Sequence, residues 1–201
     1  MTKLQLALDF SKLKDSLKVA RKASKYVDWV EAGTPLIKSE GLKSVKALKK
    51  AFPKKKIVAD MKTMDVGAFE VSMAADAGAD VVTVLGAADE ATIQGAIKEG
   101  KKKKVKVVVD LINTPQSKWK KIDSMKPDYI AVHVGIDQQK RGIDPLKILK
   151  KLKVKSRIII AGGMNKERAK KARGVEVIIV GGAITKSKDP KKAAKEIKEV
   201  I

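Results

Sequence analysis

Short apolar runs recur along the chain, each followed by a stretch in which apolar positions fall three and four apart. The runs read as strands at Leu4–Asp9, Val27–Glu31, Ile57–Lys62, Ala79–Leu85, Val105–Asp110, Asp128–His133, Ser156–Ala161 and Glu176–Val180. Between them the spacing predicts helices. Ser11 stands as an N-cap before Leu13, Leu17, Ala20 and Ala23. Gly33-Thr34-Pro35 ends the second strand, and a helix over Gly41–Ala51 is closed by Pro53. A further helix runs from Gly67 to Ala77, and Asp89 caps one that reaches Glu99. An amphipathic helix spans Ser117–Met125, Asp144-Pro145 opens one through Leu152, Asn165 caps a short one, and Asp189-Pro190 starts the last. Continuous Val/Ile runs without polar alternation indicate strands buried on both faces, as in a parallel sheet. Eight strand–helix units in 201 residues, with no linker-like break, predict an α/β protein: one compact (β/α)8 barrel domain over residues 1–201 with a parallel eight-stranded sheet. The alternative, a doubly wound open sheet, has fewer strands and a glycine-rich loop after the first. Here the glycine pairs follow the seventh and eighth.

Composition sharpens this. Hydrophobic residues make up 44%, enough for a core. There is no cysteine, which excludes disulfides and thiolate metal sites. Met1-Thr2-Lys3-Leu4 passes into a strand pattern without a signal-peptide apolar region, and no apolar run nears the ~20 residues that span a bilayer. The expectation is a soluble cytoplasmic protein without a membrane partner. The formal charge of +22 raises a nucleic-acid hypothesis. The lysines are spread over nearly every helical segment, however, and only 3% of residues are aromatic, so stacking platforms are scarce. The dense run Lys101–Lys104 is assigned to a connecting turn. The excess reads as solvated helix faces, with nucleic acid held only non-specifically through charge.

In a barrel all strand C-termini meet at one face, which here gathers Asp9, Glu31, Asp60, Lys62, Asp110 and His133. Asp60 and Lys62 share a side of their strand, and Asp65 is free to swing away from them. A structural ion-pair cluster is the plainer explanation of Asp60-Met61-Lys62-Thr63-Met64-Asp65, but it does not account for acids at several equivalent strand ends. Oxygen ligands without cysteine suit Mg²⁺ better than zinc, and Glu31 and Asp60, on neighbouring strand ends, are the metal-ligand candidates. His133, the single histidine, is an acid/base candidate. The pairs Gly162-Gly163 and Gly181-Gly182 stand where barrels commonly bind phosphate; tight turns needing positive φ are the alternative. Met61, Met64 and Met73 read as packing residues, and Trp29 and Trp119 as buried anchors.

These segments resemble a known family. Leu6-Ala7-Leu8-Asp9, the run Glu31-Ala32-Gly33-Thr34-Pro35-Leu36-Ile37-Lys38, the D-x-K-x-x-D motif Asp60–Asp65, Val109-Asp110-Leu111-Ile112 and His133–Gln139 all match. So do Ala161-Gly162-Gly163 and Gly181-Gly182-Ala183-Ile184. The chain resembles the 3-hexulose-6-phosphate synthases, in their archaeal form, of the orotidine-5′-monophosphate decarboxylase suprafamily, over essentially its whole length. The resemblance implies a Mg²⁺-dependent, reversible aldol reaction of the ribulose monophosphate pathway. It joins formaldehyde to D-ribulose 5-phosphate through a 1,2-enediolate and gives D-arabino-hex-3-ulose 6-phosphate. It further implies Glu31 and Asp60 on the metal, Lys62 beside the enediolate, His133 in proton transfer and Asp9 in substrate positioning. It also implies a homodimer in which Asp65 reaches into the partner's site. The neighbouring family is 3-keto-L-gulonate-6-phosphate decarboxylase, which carries an Arg where this chain has Gly182 and another soon after the strand-six histidine. A non-catalytic basic scaffold is the alternative from another class.

Overall fold

Each apolar run is too short to bury itself, and eight of them close on one another. A computed structural model describes all residues, Met1–Ile201. Strands β1 (Lys3–Leu8), β2 (Trp29–Ala32), β3 (Lys56–Thr63), β4 (Val81–Leu85), β5 (Lys106–Asp110), β6 (Tyr129–His133), β7 (Arg157–Ala161) and β8 (Val177–Val180) form a closed barrel in sequence order. Every pairing is parallel, and β1 pairs with β8 from Lys3–Val177 to Leu6–Val180. The expected (β/α)8 barrel is therefore present, without free sheet edges.

Two apolar cores follow from the pleat. Outward residues such as Leu4, Leu6, Val30, Ile57, Val82, Val109, Ile130 and Ile178 pack beneath the helices in one large cluster. Inward residues Trp29, Val58, Val81, Val108, Tyr129, Ala131, Ile159 and Val177 form a separate plug inside the barrel. Two residues further along several strands, on the same inward face, stand Glu31, Asp60, Thr83, Asp110 and His133. The plug is thus the floor of a polar layer, and its position fixes where chemistry can occur.

The helices are α1 (Leu13–Ala23), α2 (Thr34–Glu40), α3 (Lys43–Ala51), α4 (Gly67–Asp76), α5 (Glu90–Lys103), α6 (Trp119–Ser124), α7 (Ile136–Gln139), α8 (Pro145–Leu149), α9 (Lys166–Lys171), α10 (Gly182–Thr185) and α11 (Pro190–Lys198). Asp89 and Asn165 cap as expected, and Asp144 and Asp189, expected only to open their helices, also cap them, each side chain accepting a backbone N–H. Other expectations need correction. Ser11 is not a cap: Lys12 holds that position without a side-chain bond, and the Ser11 carbonyl accepts from Ser39 Oγ. Gly33-Thr34-Pro35 does end β2, but Thr34-Pro35 also opens α2, a helix not expected before Gly41, because proline at the first turn gives up no intrahelical bond. Lys101–Lys103 form the last turn of α5, where cations complement the helix dipole, and only Lys104 leaves it in a left-handed conformation. α8 stops at Leu149, short of Leu152. Met64 and Met73 are exposed, not packed, while Met61 does pack against the core and Trp29 is buried. No helix is long and apolar enough to cross a membrane.

Candidate active site

The site is assembled by an irregularity in β3. The register against β4 shifts between Ala59 and Thr63, and Lys62 has φ 46°, a left-handed value for a residue with a side chain. Such a conformation costs about 1–3 kcal/mol and persists only where surroundings enforce it. Thr83 on β4 does so: Lys62 N–H donates to Thr83 Oγ1 at 3.0 Å. Asp60 and Lys62 therefore meet because a bulge re-aims the lysine, and plain strand alternation is not the cause.

Asp60, 5% exposed, is held from three sides. Thr83 Oγ1 donates to its Oδ1 at 2.8 Å, Thr34 Oγ1 lies 2.8 Å from Oδ2, and Lys62 Nζ donates to Oδ2. Burial alone would raise its pKa, but the Lys62 charge and these hydrogen bonds prevail and hold it below the ordinary carboxylate value. Burial likewise opposes the Lys62 ammonium, yet Asp60 and Asp110 more than offset it and its pKa is raised. Lys62 Nζ stands 4.0 Å from Asp110 Oδ2. Asp110 in turn accepts from Ile112 N at 2.9 Å and lies 2.7 Å from His133 Nδ1. Burial works against a charged His133, and Asp110 outweighs it, so the imidazole pKa is raised.

Glu31, 5% exposed, has one hydrogen-bond partner, the Gln5 side-chain amide, which donates to its Oε2. Burial, then the charges of Asp60 and Asp9, push its pKa well above the ordinary value. Asp9 sits just past β1 at the open rim with its carboxylate against two glycines. A Cβ on Gly33 would stand 2.1 Å from Asp9 Oδ1, and one on Gly181 3.6 Å from Oδ2. Burial and then Asp60 raise its pKa. Asp65 is exposed and takes no part in this cluster in its own chain; its Oδ1 accepts from Val66 N at 2.7 Å.

Gly162 and Gly163 have φ of 102° and 62°, whereas Gly181 has φ −101° and Gly182 begins α10, so only the first pair needs glycine for its backbone. The N–H groups of Gly162, Gly163 and Gly181 take no protein acceptor. Arg168 Nη1 donates to the Gly163 carbonyl at 2.8 Å, bringing a guanidinium to that turn. A cavity of about 240 Å³ opens beside His133, lined among others by Leu111, Asn113, Trp119, Gln138 and Lys151. Gln5, Thr34, Thr83 and Arg168 were not singled out from the sequence. Thr83 interrupts an otherwise apolar strand and Gln5 an apolar run, and that was the available signal.

The Orotidine 5′-phosphate decarboxylase / HUMPS family model matches residues 2–197. The chain belongs to this family. Among its curated relatives, a 3-hexulose-6-phosphate synthase of Bacillus subtilis is 41% identical over 205 aligned positions, covering 98% of each protein. Among solved members, a 3-hexulose-6-phosphate synthase from Salmonella typhimurium is 40% identical, with TM-score 0.96 over 99% of this chain and 98% of that one. A 3-keto-L-gulonate-6-phosphate decarboxylase from Vibrio cholerae is 30% identical, with TM-score 0.88 over 99% and 96%.

The family reading implies a divalent cation, and the side chains fit one. Asp9, Glu31, Asp60 and Asp110 share Lys62 as their one permanent cation, and it sits on Asp60. Glu31 is left buried with a neutral partner. No three carboxylate or imidazole groups converge to cage a metal by themselves. Mg²⁺ does not need that: it takes one or two carboxylates and completes its octahedron with water and substrate oxygens.

Proposed function

We propose that this chain joins formaldehyde to D-ribulose 5-phosphate, reversibly, giving D-arabino-hex-3-ulose 6-phosphate. The observation that carries the reading is the Glu31, Asp60–Lys62 and Asp110–His133 constellation above an apolar floor, in a chain 40–41% identical to proteins named as synthases of that product. Glu31 and Asp60 would hold Mg²⁺, whose contribution when bound is Lewis-acid stabilisation of negative charge on substrate oxygens. His133, steadied at Nδ1 by Asp110, presents Nε2 to take the C1 proton of the ketose. The resulting 1,2-enediolate attacks the formaldehyde carbon through C1; a C–C bond forms and the former carbonyl oxygen takes up a proton. Lys62 offers its ammonium to the enediolate oxygens. Asp9 at the rim orients the sugar. The free N–H groups at Gly162, Gly163 and Gly181, with the Gly182 helix start, receive the phosphate.

The working unit is a homodimer. Val66, Phe69 and Met73 expose side chains along α4 and the loop before it, next to Asp65, with Phe69 66% and Met64 55% accessible. Such a patch calls for a partner, and a second copy would bring Asp65 to the neighbour's Lys62. Nucleic acid meets only the general positive charge. Gly182 and the run Val134-Gly135-Ile136-Asp137 lack the arginines of the decarboxylase pattern, which favours the synthase reading.

The test is consumption of formaldehyde with ribulose 5-phosphate, with and without Mg²⁺. Asp60→Asn and Glu31→Gln should each abolish Mg²⁺-dependent turnover and leave the circular dichroism of the fold intact; near-normal turnover in both removes the assignment. Asp65→Ala and Lys62→Ala should each be inactive and regain activity when mixed under subunit exchange. Proven exchange without activity would mean each barrel works alone.

A further inference from the structure

Gln5 lies inside the barrel, 2% exposed. Its Nε2 donates to Glu31 Oε2, and its Oε1 is the one buried side-chain polar atom in the chain without a hydrogen-bond partner. With Glu31 ionised, as holding a cation requires, its carboxylate offers only acceptors, so the amide N–H₂ faces Glu31 and the carbonyl does not. A buried carbonyl without a donor is unfavourable. Methionine or leucine would fill similar space without that penalty, as Leu4 and Leu6 do on the outer face of the same strand. Nothing else bonds to Glu31, so without Gln5 its carboxylate would have no side chain to fix its rotation.

We propose that Gln5 is a positioning residue of the cation site. Its N–H holds one oxygen of Glu31 and leaves the other free for the cation, so the carboxylate is already turned before the cation arrives. This rests on Glu31 being a ligand, as read above. The inference concerns the ligand's support, which commonly governs affinity as strongly as the ligand does.

Mn²⁺ binding to the substrate-free protein, followed by electron paramagnetic resonance, tests this without recourse to activity. Gln5→Met should raise the Mn²⁺ Kd about 10–100-fold, and the metal-free Tm should fall modestly, because the loss of Glu31's one hydrogen-bond partner outweighs the removal of the unpartnered carbonyl. A Kd within about twofold of the parent's, whatever the Tm, makes Gln5 merely structural and overturns the proposal. In a Glu31→Gln background, Gln5→Met should add no further loss; a full additional loss overturns action through Glu31. If Glu31→Gln alone leaves Mn²⁺ affinity intact, the ligand reading itself falls, and this proposal with it. The unsubstituted protein gives a readout that does not depend on any variant folding. The ¹⁵N side-chain amide signal of Gln5 should shift on addition of Mg²⁺, and a signal unmoved at saturation overturns the proposal.

Discussion

Replacing Thr83 by Val keeps the shape of the side chain and deletes one oxygen with two duties. Thr83 Oγ1 donates to Asp60 Oδ1 and receives the Lys62 N–H. A hydrogen bond to a charged group contributes about 1.5–3 kcal/mol, and a buried donor left unmatched costs about 1–3 kcal/mol. The added methyl returns about 0.8 kcal/mol of apolar burial, and Asp60 keeps Thr34 and Lys62. The net loss is about 3 kcal/mol, which for a chain of this size lowers Tm by roughly 6–12 °C. The loss also has a pH signature. Asp60 has a lowered pKa in the fold, so it contributes stability above its ordinary value of 3.8 that fades as pH falls through the lower folded value. Thr83→Val raises that folded pKa, and the stability gap to the parent must narrow as the solution is acidified. Calorimetry at neutral pH and urea melts down the acid range, both with chelator present, measure the two effects. Thr83→Ser, which keeps the hydroxyl, should lose no more than about 1.5 kcal/mol. If Val and Ser behave alike, or the gap widens in acid, the oxygen is not what holds the bulge together.

Asp110→Asn removes the charge that raises the His133 pKa against burial, so the acidic limb of the kcat/KM–pH profile should move to lower pH. The raised His133 pKa also lends stability that is full below 6.5 and lost as pH climbs through the folded value, and this slope should flatten in the same variant; an unmoved limb would refute the pairing. Glu31 has the opposite effect on stability. Its folded pKa is raised, so the metal-free protein loses stability as pH rises from 4.5, and Glu31→Gln should be the more stable form in chelator at neutral pH, checked by urea melts. Phe69→Lys combined with Met73→Lys should yield a folded monomer in sedimentation velocity, and a persisting dimer would place the interface elsewhere.

Sequence pattern resolved the repeating strand–helix units because each strand is buried on both faces and reads as an unbroken apolar run. It also placed the strand-end acids, since where a strand ends is marked by the residue that ends it. The helix starts at Asp89, Asp144, Asn165 and Asp189 are legible because a residue that opens a helix bonds only to its own helix. What stayed hidden depends on neighbours in space. Gln5 meets Glu31, and Thr34 and Thr83 meet Asp60, across strands whose relative stagger no single strand records. The left-handed Lys62 has no mark in a lysine codon; its conformation is imposed by Thr83. Pro35 marks the end of β2 in the sequence, but nothing there says that the same ring starts a helix, as it does in α2. Met64 and Met73 looked like core because apolar character says that a side chain will be covered, not by whom.

The apolar plug sits one pleat step beneath the polar layer, and the same strands build both. Strand length is consequently locked. Adding or deleting one residue within β2, β3 or β5 would turn its acid outward under a helix and its outer leucine, valine or isoleucine into the mouth. Point replacements are much less constrained: side chains of the upper layer can be exchanged while the floor beneath keeps its volume, and floor residues can trade volume among themselves without touching a reactive group. A barrel made this way diversifies by substitution at fixed register, with its loops free to change length.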